Sequence, residues 1–226
     1  MAFRLIGAPA TFQHAMNASL APVLCKSALV FFDDILIYSA TYADHLRHVR
    51  ELLEILCKDH WQAKLSKCAF AQQRIAYLEH VISADGVSTD DTKIQSIRDW
   101  PIPVNVKELR GFLGLSGYYR KFNCHYTVIS QPLTALLKGV LFIWTEAAEV
   151  AFQTLKSALI LAPVLALPDY KVQFVVETDA CDVGIGVVLS QKGHPLAFVS
   201  RALGPHNRGL SVYEKEYLAI LLAVQQ

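Results

Sequence analysis

Residues 28–39, ALVFFDDILIYS, are two apolar, β-prone runs joined by adjacent aspartates, Asp33 and Asp34, without the Gly or Asn that tight hairpin turns prefer. They read as a strand, an acidic tip and a second strand. C-terminal to them, Leu46, Val49, Leu53 and Leu56 recur at helical spacing through TYADHLRHVRELLEILCKDH (41–60), an amphipathic helix. QAKLSKCAF (62–70) and RIAYLEHVIS (74–83) read as short strands, the second closing on the turn Ala84-Asp85-Gly86. Pro101-Ile102-Pro103 marks the most obvious boundary. Beyond it Asn105 and Glu108 have capping-box spacing and open a helix bearing Leu109, Phe112 and Leu113.

A second shift of composition begins near Phe142. Thr145 is placed to cap a helix carrying Phe152, Leu155 and Leu159, and PVLALPDY (163–170) returns to loop character. Residues 172–178, 184–190 and 195–200 then read as three successive strands, followed by a helix from about Val212. The pattern is that of an α+β chain without internal repeats.

The 226 residues carry 21 Lys+Arg against 20 Asp+Glu, a net charge of +1, with 53% hydrophobic and 18% charged residues. This excludes a disordered chain and gives no global attraction for nucleic acid or membrane, so any charged surface is local. The longest uncharged apolar stretch, 158–167, is broken by Pro163 and is far shorter than the roughly 18 residues of a membrane span. The N-terminus lacks the pattern of a secretory signal, so an intracellular setting is expected. Cys25, Cys57, Cys68, Cys124 and Cys181 are odd in number and scattered, and read as reduced, mostly core thiols. His45 and His48 stand three apart on a helix with no further ligand pair nearby in sequence, and read as surface histidines.

Two carboxylates side by side after a buried strand repel one another unless a cation or proton compensates, and their hard oxygens suit Mg²⁺ in metal-assisted phosphoryl transfer. From the dipeptide alone a solvated turn is the commoner explanation of Asp33 and Asp34. A second candidate is Glu177-Thr178-Asp179, where alternation puts Glu177 and Asp179 on one side of a strand. Glu216 borders the apolar stripe of the last helix and could project toward the sheet bearing Asp179, although a surface charge explains it equally well. Two modest basic stretches, with Lys58, Lys64, Lys67 and Arg74 in one and Lys107, Arg110, Arg120 and Lys121 in the other, are interleaved with Trp61, Phe112, Tyr118, Tyr119 and Phe122. They could contact a phosphate backbone and stack on bases, but solvated helix faces and core aromatics are the more common explanation.

Taken in order, FRLIGAPATFQHAMN, VFFDDILIYSATYADHLRHV, AKLSKCAF, YLEHVISADGVSTDDTKIQSI, LRGFLGLSGYYRKF, AFQTLKSAL, APVLALPDY, ETDACDVGIGVVLSQ and YEKEYLAI resemble the Pol polyprotein of gypsy-class long-terminal-repeat retrotransposons, reverse transcriptase followed by ribonuclease H, over nearly the whole chain. The resemblance implies a partial reverse-transcriptase palm and primer-contacting region over residues 1–100. It further implies thumb and connection helices over 101–141 and an incomplete RNase H-like α/β domain over 142–226. It implies that Asp33 and Asp34 are the paired catalytic, metal-binding aspartates of the polymerase, that Phe3 and Gln13 lie beside the incoming nucleotide, and that Asp179 and Glu216 are the first two catalytic, metal-binding carboxylates of the ribonuclease. The implied cofactor is Mg²⁺ or Mn²⁺. The implied partners are an RNA template, a DNA primer, RNA–DNA hybrid, deoxynucleoside triphosphates and the remainder of Pol, with no membrane.

The chain departs from the family at several places. The family's upstream catalytic aspartate and the two later ribonuclease carboxylates have no counterpart here, so both ends are expected to be truncated and the isolated chain inactive. Arg4 stands where the family has a glycine close to the nucleotide, and Glu79 replaces the glycine of the LGH element, placing an anion where a primer phosphate is expected. The alternative reading is a noncatalytic nucleic-acid-binding or protein-interaction module derived from the same ancestor.

Overall fold

The computed structural model describes residues 7–139 and 141–226; Phe3 and Arg4 lie outside them. The chain forms two compact units, one ending at Leu78 and one running from Glu79 to Gln226, so that Pro101 to Pro103 falls within the second.

The first unit contains α1 (Ala8–Leu20), β1 (Ala28–Phe31), β2 (Asp34–Ile37), α2 (Tyr42–Lys58) and β3 (Arg74–Tyr77). β1 and β2 are antiparallel, Ala28 opposite Ile37 and Phe31 opposite Asp34. Alternation sends Ala28, Val30, Ile35 and Ile37 to the face that packs with Met16 and Leu20 of α1 and Leu52 and Leu56 of α2. The other face carries Leu29, Phe31 and Asp34, all exposed, and Leu36, which is buried. Thr41 caps α2, its hydroxyl accepting from the Asp44 amide at 3.1 Å. Of the expected stripe Leu56 is buried, whereas Leu46 and Leu53 are exposed and Leu52 is buried in their stead. Strands of four residues reach only about 13 Å, whereas the 17 residues of α2 extend about 25 Å, so the hairpin covers the second half of the helix.

Residues 62–70 do not form the expected strand. All are exposed, and Leu65–Lys67 is a short 3₁₀ turn. A strand needs a partner for its backbone, and alternation of side chains does not supply one. The expected strand over 74–83 is two, β3 and β4 (His80–Ser83), separated by Leu78 and Glu79 with left-handed φ of 48° and 59°.

In the second unit β4 pairs antiparallel with β5 (Gly86–Thr89) across Ala84 and Asp85. There follow α3 (Asp91–Arg98), α4 (Val106–Tyr118), α5 (Tyr126–Ile129), α6 (Gln131–Leu136) and α7 (Glu146–Ile160). Asn105 caps α4, with the Glu108 carboxylate accepting in return from the Asn105 amide at 2.8 Å and from the Val104 N–H at 3.0 Å. Thr145 caps α7 as expected. These helices close on Phe112, Tyr119, Phe122, Phe152, Leu155 and Leu159, all buried. Leu165 exchanges backbone hydrogen bonds with Val87, 2.8 and 2.9 Å, fastening the segment after α7 to β5.

β6 (Val175–Ala180), β7 (Gly184–Gln191) and β8 (His194–Ala202) form an antiparallel meander, followed by α8 (Pro205–Arg208) and α9 (Val212–Gln225), the latter opened by a capping box of Ser211 and Glu214. β6 begins three residues later than its apolar run predicts. The buried Gln191 amide donates to the carbonyls of Asp169 and Val172 at 2.8 Å and accepts from the Asp169 N–H at 2.9 Å, taking backbone groups that a longer strand would pair. α9 packs Ala219 and Leu222 on Ile185 and Val187 of β7. The thiols are a correction: Cys25, Cys57, Cys68 and Cys181 are exposed and Cys124 is half-buried, so none is in the core. No helix among the described residues is long and apolar enough to cross a membrane.

Candidate metal and nucleic-acid sites

Phe31 opposite Asp34 leaves only Phe32 and Asp33 to turn the chain. Phe32 has φ 51°, and a positive φ at the first of two central turn residues is a place where glycine is usual and a bulky residue is strained. The turn is held from α1. The Phe32 N–H donates to Gln13 Oε1 at 2.6 Å, and Gln13 Nε2 donates to the Val30 carbonyl at 3.3 Å and to Asn17 Oδ1 at 2.8 Å. Asp33 and Asp34 are both exposed. Tyr77 lies within the field of Asp34, its hydroxyl pushed above its ordinary value first by burial and then by that negative charge.

Two exposed adjacent carboxylates fit Mg²⁺, which binds through one or two protein carboxylates and keeps water or phosphate oxygens as its other ligands. Among the described residues no group of three or more His, Cys, Asp or Glu forms a metal cluster, so the tip offers part of a ligand set. Gln13, expected beside the nucleotide, has both ends of its amide engaged by protein. His48 Nδ1 lies 2.7 Å and His45 Nδ1 3.5 Å from Ser39 Oγ, so both half-buried imidazoles reach from α2 to the connection that follows β2.

On β6, Thr178 and Ala180 stand opposite Val187 and Ile185, the residues that α9 covers, and Asp179 stands opposite Gly186. Asp179 therefore belongs to the other face, where a Cβ on Gly186 would meet Cys124, and where the Cys124 thiol is pushed up by burial and by the charge of Asp179. Glu216 is half-buried on α9. The hydrogen bond that joins α9 to the loop after β6 is made by its neighbour: Lys215 Nζ, buried, donates to Asp182 Oδ1 at 2.8 Å, while that carboxylate is itself exposed. This bond and the ammonium charge hold the Asp182 carboxyl below its usual range. Sequence reasoning missed Lys215, although 215, 219 and 222 fall at the spacing of a buried helix stripe.

Of the aromatics interleaved with basic residues, Phe112, Tyr119 and Phe122 are buried, and Trp61 packs edge-on against Phe12 with its Nε1–H on Ser19 Oγ at 2.9 Å. These four are structural. Tyr118 is 43% exposed and stacks on the buried His80 ring at 5.2 Å, and Lys121 approaches the Phe122 ring at 5.7 Å. Burial, followed by the Lys121 charge, lowers the His80 pKa. Glu79 is not the isolated anion that the sequence suggests, because its carboxylate meets Lys93 Nζ at 2.7 Å.

Residues 3–82 match the family described as reverse transcriptase (RNA-dependent DNA polymerase), and residues 144–226 match the RNase H-like domain found in reverse transcriptase. Among curated proteins, the retrovirus-related Pol polyprotein from transposon 297 of Drosophila melanogaster is 42% identical over 100% of this chain and 21% of its own length. That from transposon gypsy of the same organism is 34% identical over 98% and 23%. The transposon Tf2-3 polyprotein of Schizosaccharomyces pombe is 33% identical over 100% and 17%. The chain thus spans about a fifth of the length of these relatives. Among solved structures, the foamy viral protease-reverse transcriptase in complex with RNA/DNA hybrid superposes with a TM-score of 0.88 at 23% identity, over 99% of this chain and 31% of that one. Its complex with dsDNA gives 0.89 at 23%, over 99% and 48%. At these identities the likeness is one of fold.

Proposed function

Because the chain belongs to the reverse transcriptase and ribonuclease H family of gypsy-type retrotransposon Pol polyproteins, we propose that it carries an acidic tip for RNA-directed DNA synthesis and a second acidic pair for hydrolysis of RNA in a hybrid. The observation that carries the reading is Asp33 on a two-residue turn and Asp34 at the start of β2, adjacent and both exposed. When bound there, Mg²⁺ or Mn²⁺ supplies positive charge to the reacting phosphate and hydroxyl. Asp33 and Asp34 provide the hard oxygens that hold it, and the hairpin keeps Asp34 on the face that α1 and α2 do not cover. In the same reading Asp179 and Glu216 belong to the ribonuclease site, with Asp179 on the face of β6 that α9 does not cover and Glu216 on α9 itself.

The partners are an RNA template, a DNA primer, their hybrid and deoxynucleoside triphosphates, in an intracellular setting with the rest of Pol; the foamy viral complexes with dsDNA and RNA/DNA hybrid support the nucleic-acid part. The isolated chain is expected to extend no primer. The test is Mn²⁺ uptake by the full chain, followed by electron paramagnetic resonance. Uptake is expected to fall when Asp33 and Asp34 are both changed to Asn. Equal uptake by both proteins discards the reading of the tip, and robust primer extension by the chain alone refutes its inactivity.

A second reading, a noncatalytic hybrid-binding module, is favoured by the exposed Tyr118 ring beside Lys93 and Glu79, whose charges both act on its hydroxyl. Salt-sensitive hybrid binding that survives the double Asn substitution supports it, and binding lost with that substitution counts against it.

A further inference from the structure

We propose that Gln13 is a positioning residue for Asp33 and Asp34, acting by holding Phe32 in its left-handed conformation. The inference rests on the reading of the tip as an ion-binding pair. A two-residue turn between β1 and β2 requires the positive φ of 51° at Phe32, where a phenylalanine is strained and a glycine is not. Left to itself, Phe32 relaxes toward negative φ, the turn widens, and the Phe31–Asp34 pairing that orients the second carboxylate opens.

Gln13 opposes this from 19 residues away in sequence. Its Oε1 takes the Phe32 N–H at 2.6 Å, and its Nε2 takes the Val30 carbonyl at 3.3 Å, so one amide grips both β1 and the turn that follows it. Asn17 Oδ1, one helical turn along α1, accepts from the same Nε2 at 2.8 Å and fixes which end of the amide faces Phe32. The face of α1 that carries Met16 and Leu20 is packed on the hairpin, so the grip is anchored in the core of the unit. Both N–H groups of its amide and one lone pair of its oxygen are thus spent on Val30, Asn17 and Phe32.

The experiment combines amide hydrogen exchange at Phe32 with Mn²⁺ titration of the full chain. In the unsubstituted protein the Phe32 amide is expected to exchange slowly; exchange at the rate of a free amide overturns the proposal before any variant is made. Gln13→Met keeps the length of the side chain and removes all three hydrogen bonds. It is expected to release the Phe32 amide and to weaken Mn²⁺ binding about tenfold. Phe32→Gly makes the left-handed turn intrinsically favourable, so in that background Gln13→Met is expected to change Mn²⁺ affinity by less than about twofold. That rescue separates positioning from general support of the fold, which glycine at the turn does not restore. If the unsubstituted chain takes up no Mn²⁺, the ion-binding reading fails. If it takes up Mn²⁺ and Gln13→Met binds it equally well, or if Phe32→Gly gives no rescue, the positioning role fails while that reading stands.

Discussion

Gly86→Ala tests how the second unit is fastened. Gly86 has φ 133°, and a Cβ built on it would stand 2.1 Å from the Leu165 carbonyl oxygen and 2.9 Å from its carbon. The backbone strain alone is about 1–3 kcal/mol. The overlap is with main chain, so no rotamer relieves it. Residue 165 must withdraw, breaking the two hydrogen bonds of 2.8 and 2.9 Å that it exchanges with Val87, each worth about 0.5–1.5 kcal/mol. The expected destabilisation is about 4 kcal/mol, a large fraction of the 5–15 kcal/mol by which domains are usually stable. Urea unfolding followed by circular dichroism reads this as a midpoint lower by about 2 M for a typical slope. Gly193→Ala is the control: Gly193 also has positive φ, 77°, but a Cβ added to it would meet no atom within 4 Å, so only the strain of about 1 kcal/mol remains. Equal midpoints for the two variants, or a shift below about 0.5 M for Gly86→Ala, would refute the close-approach argument.

Three further outcomes are expected. The His80 pKa is lowered from its ordinary 6.5 by burial, so the folded state disfavours the imidazolium; stability is held above that value and lost as pH falls from it toward the lowered folded pKa. Thermal melts between pH 8 and 5 should show this loss, and it should shrink in His80→Phe. Glu79→Gln leaves Lys93 without the anion at 2.7 Å, so hybrid affinity should rise several-fold and its logarithmic salt slope should steepen by about 0.9; an unchanged slope shows that Lys93 meets no phosphate. Thiol titration of the native chain should label Cys25, Cys57, Cys68 and Cys181 rapidly and Cys124 slowly, its thiol being raised by burial; five equal rates contradict the placement of Cys124.

The parts legible in the sequence are those whose causes are local. Asn105 and Thr145 sit at the ends of the helices they cap because a side-chain oxygen needs only the amides of the next three residues. The β1–β2 hairpin shows in its two apolar runs, and period-two alternation correctly groups Glu177 with Asp179, opposite Val188 and Gly186. The tightness of the Phe32–Asp33 turn was not legible, because its support comes from Gln13 on another element. Residues 62–70 carry strand-like residues but have no neighbouring strand. For the second acidic pair, the sequence places Asp179 on a face of its strand without saying which face α9 covers, and that choice belongs to the packing of Ile185, Val187, Ala219 and Leu222.

Lys215 gives α9 something that its apolar residues do not. Ala219 and Leu222 are nearly interchangeable ways of filling space, and a helix resting on them alone tolerates sliding or rolling at little cost. A buried ammonium with an anchor at Asp182 does not, because moving it one turn carries it about 5.4 Å from its acceptor. The helix is thereby keyed, like a shaft with a pin. Glu216, the next residue, sits about 100° further round the same axis, so the direction in which it aims is set by a neighbour that need touch neither ion nor nucleic acid.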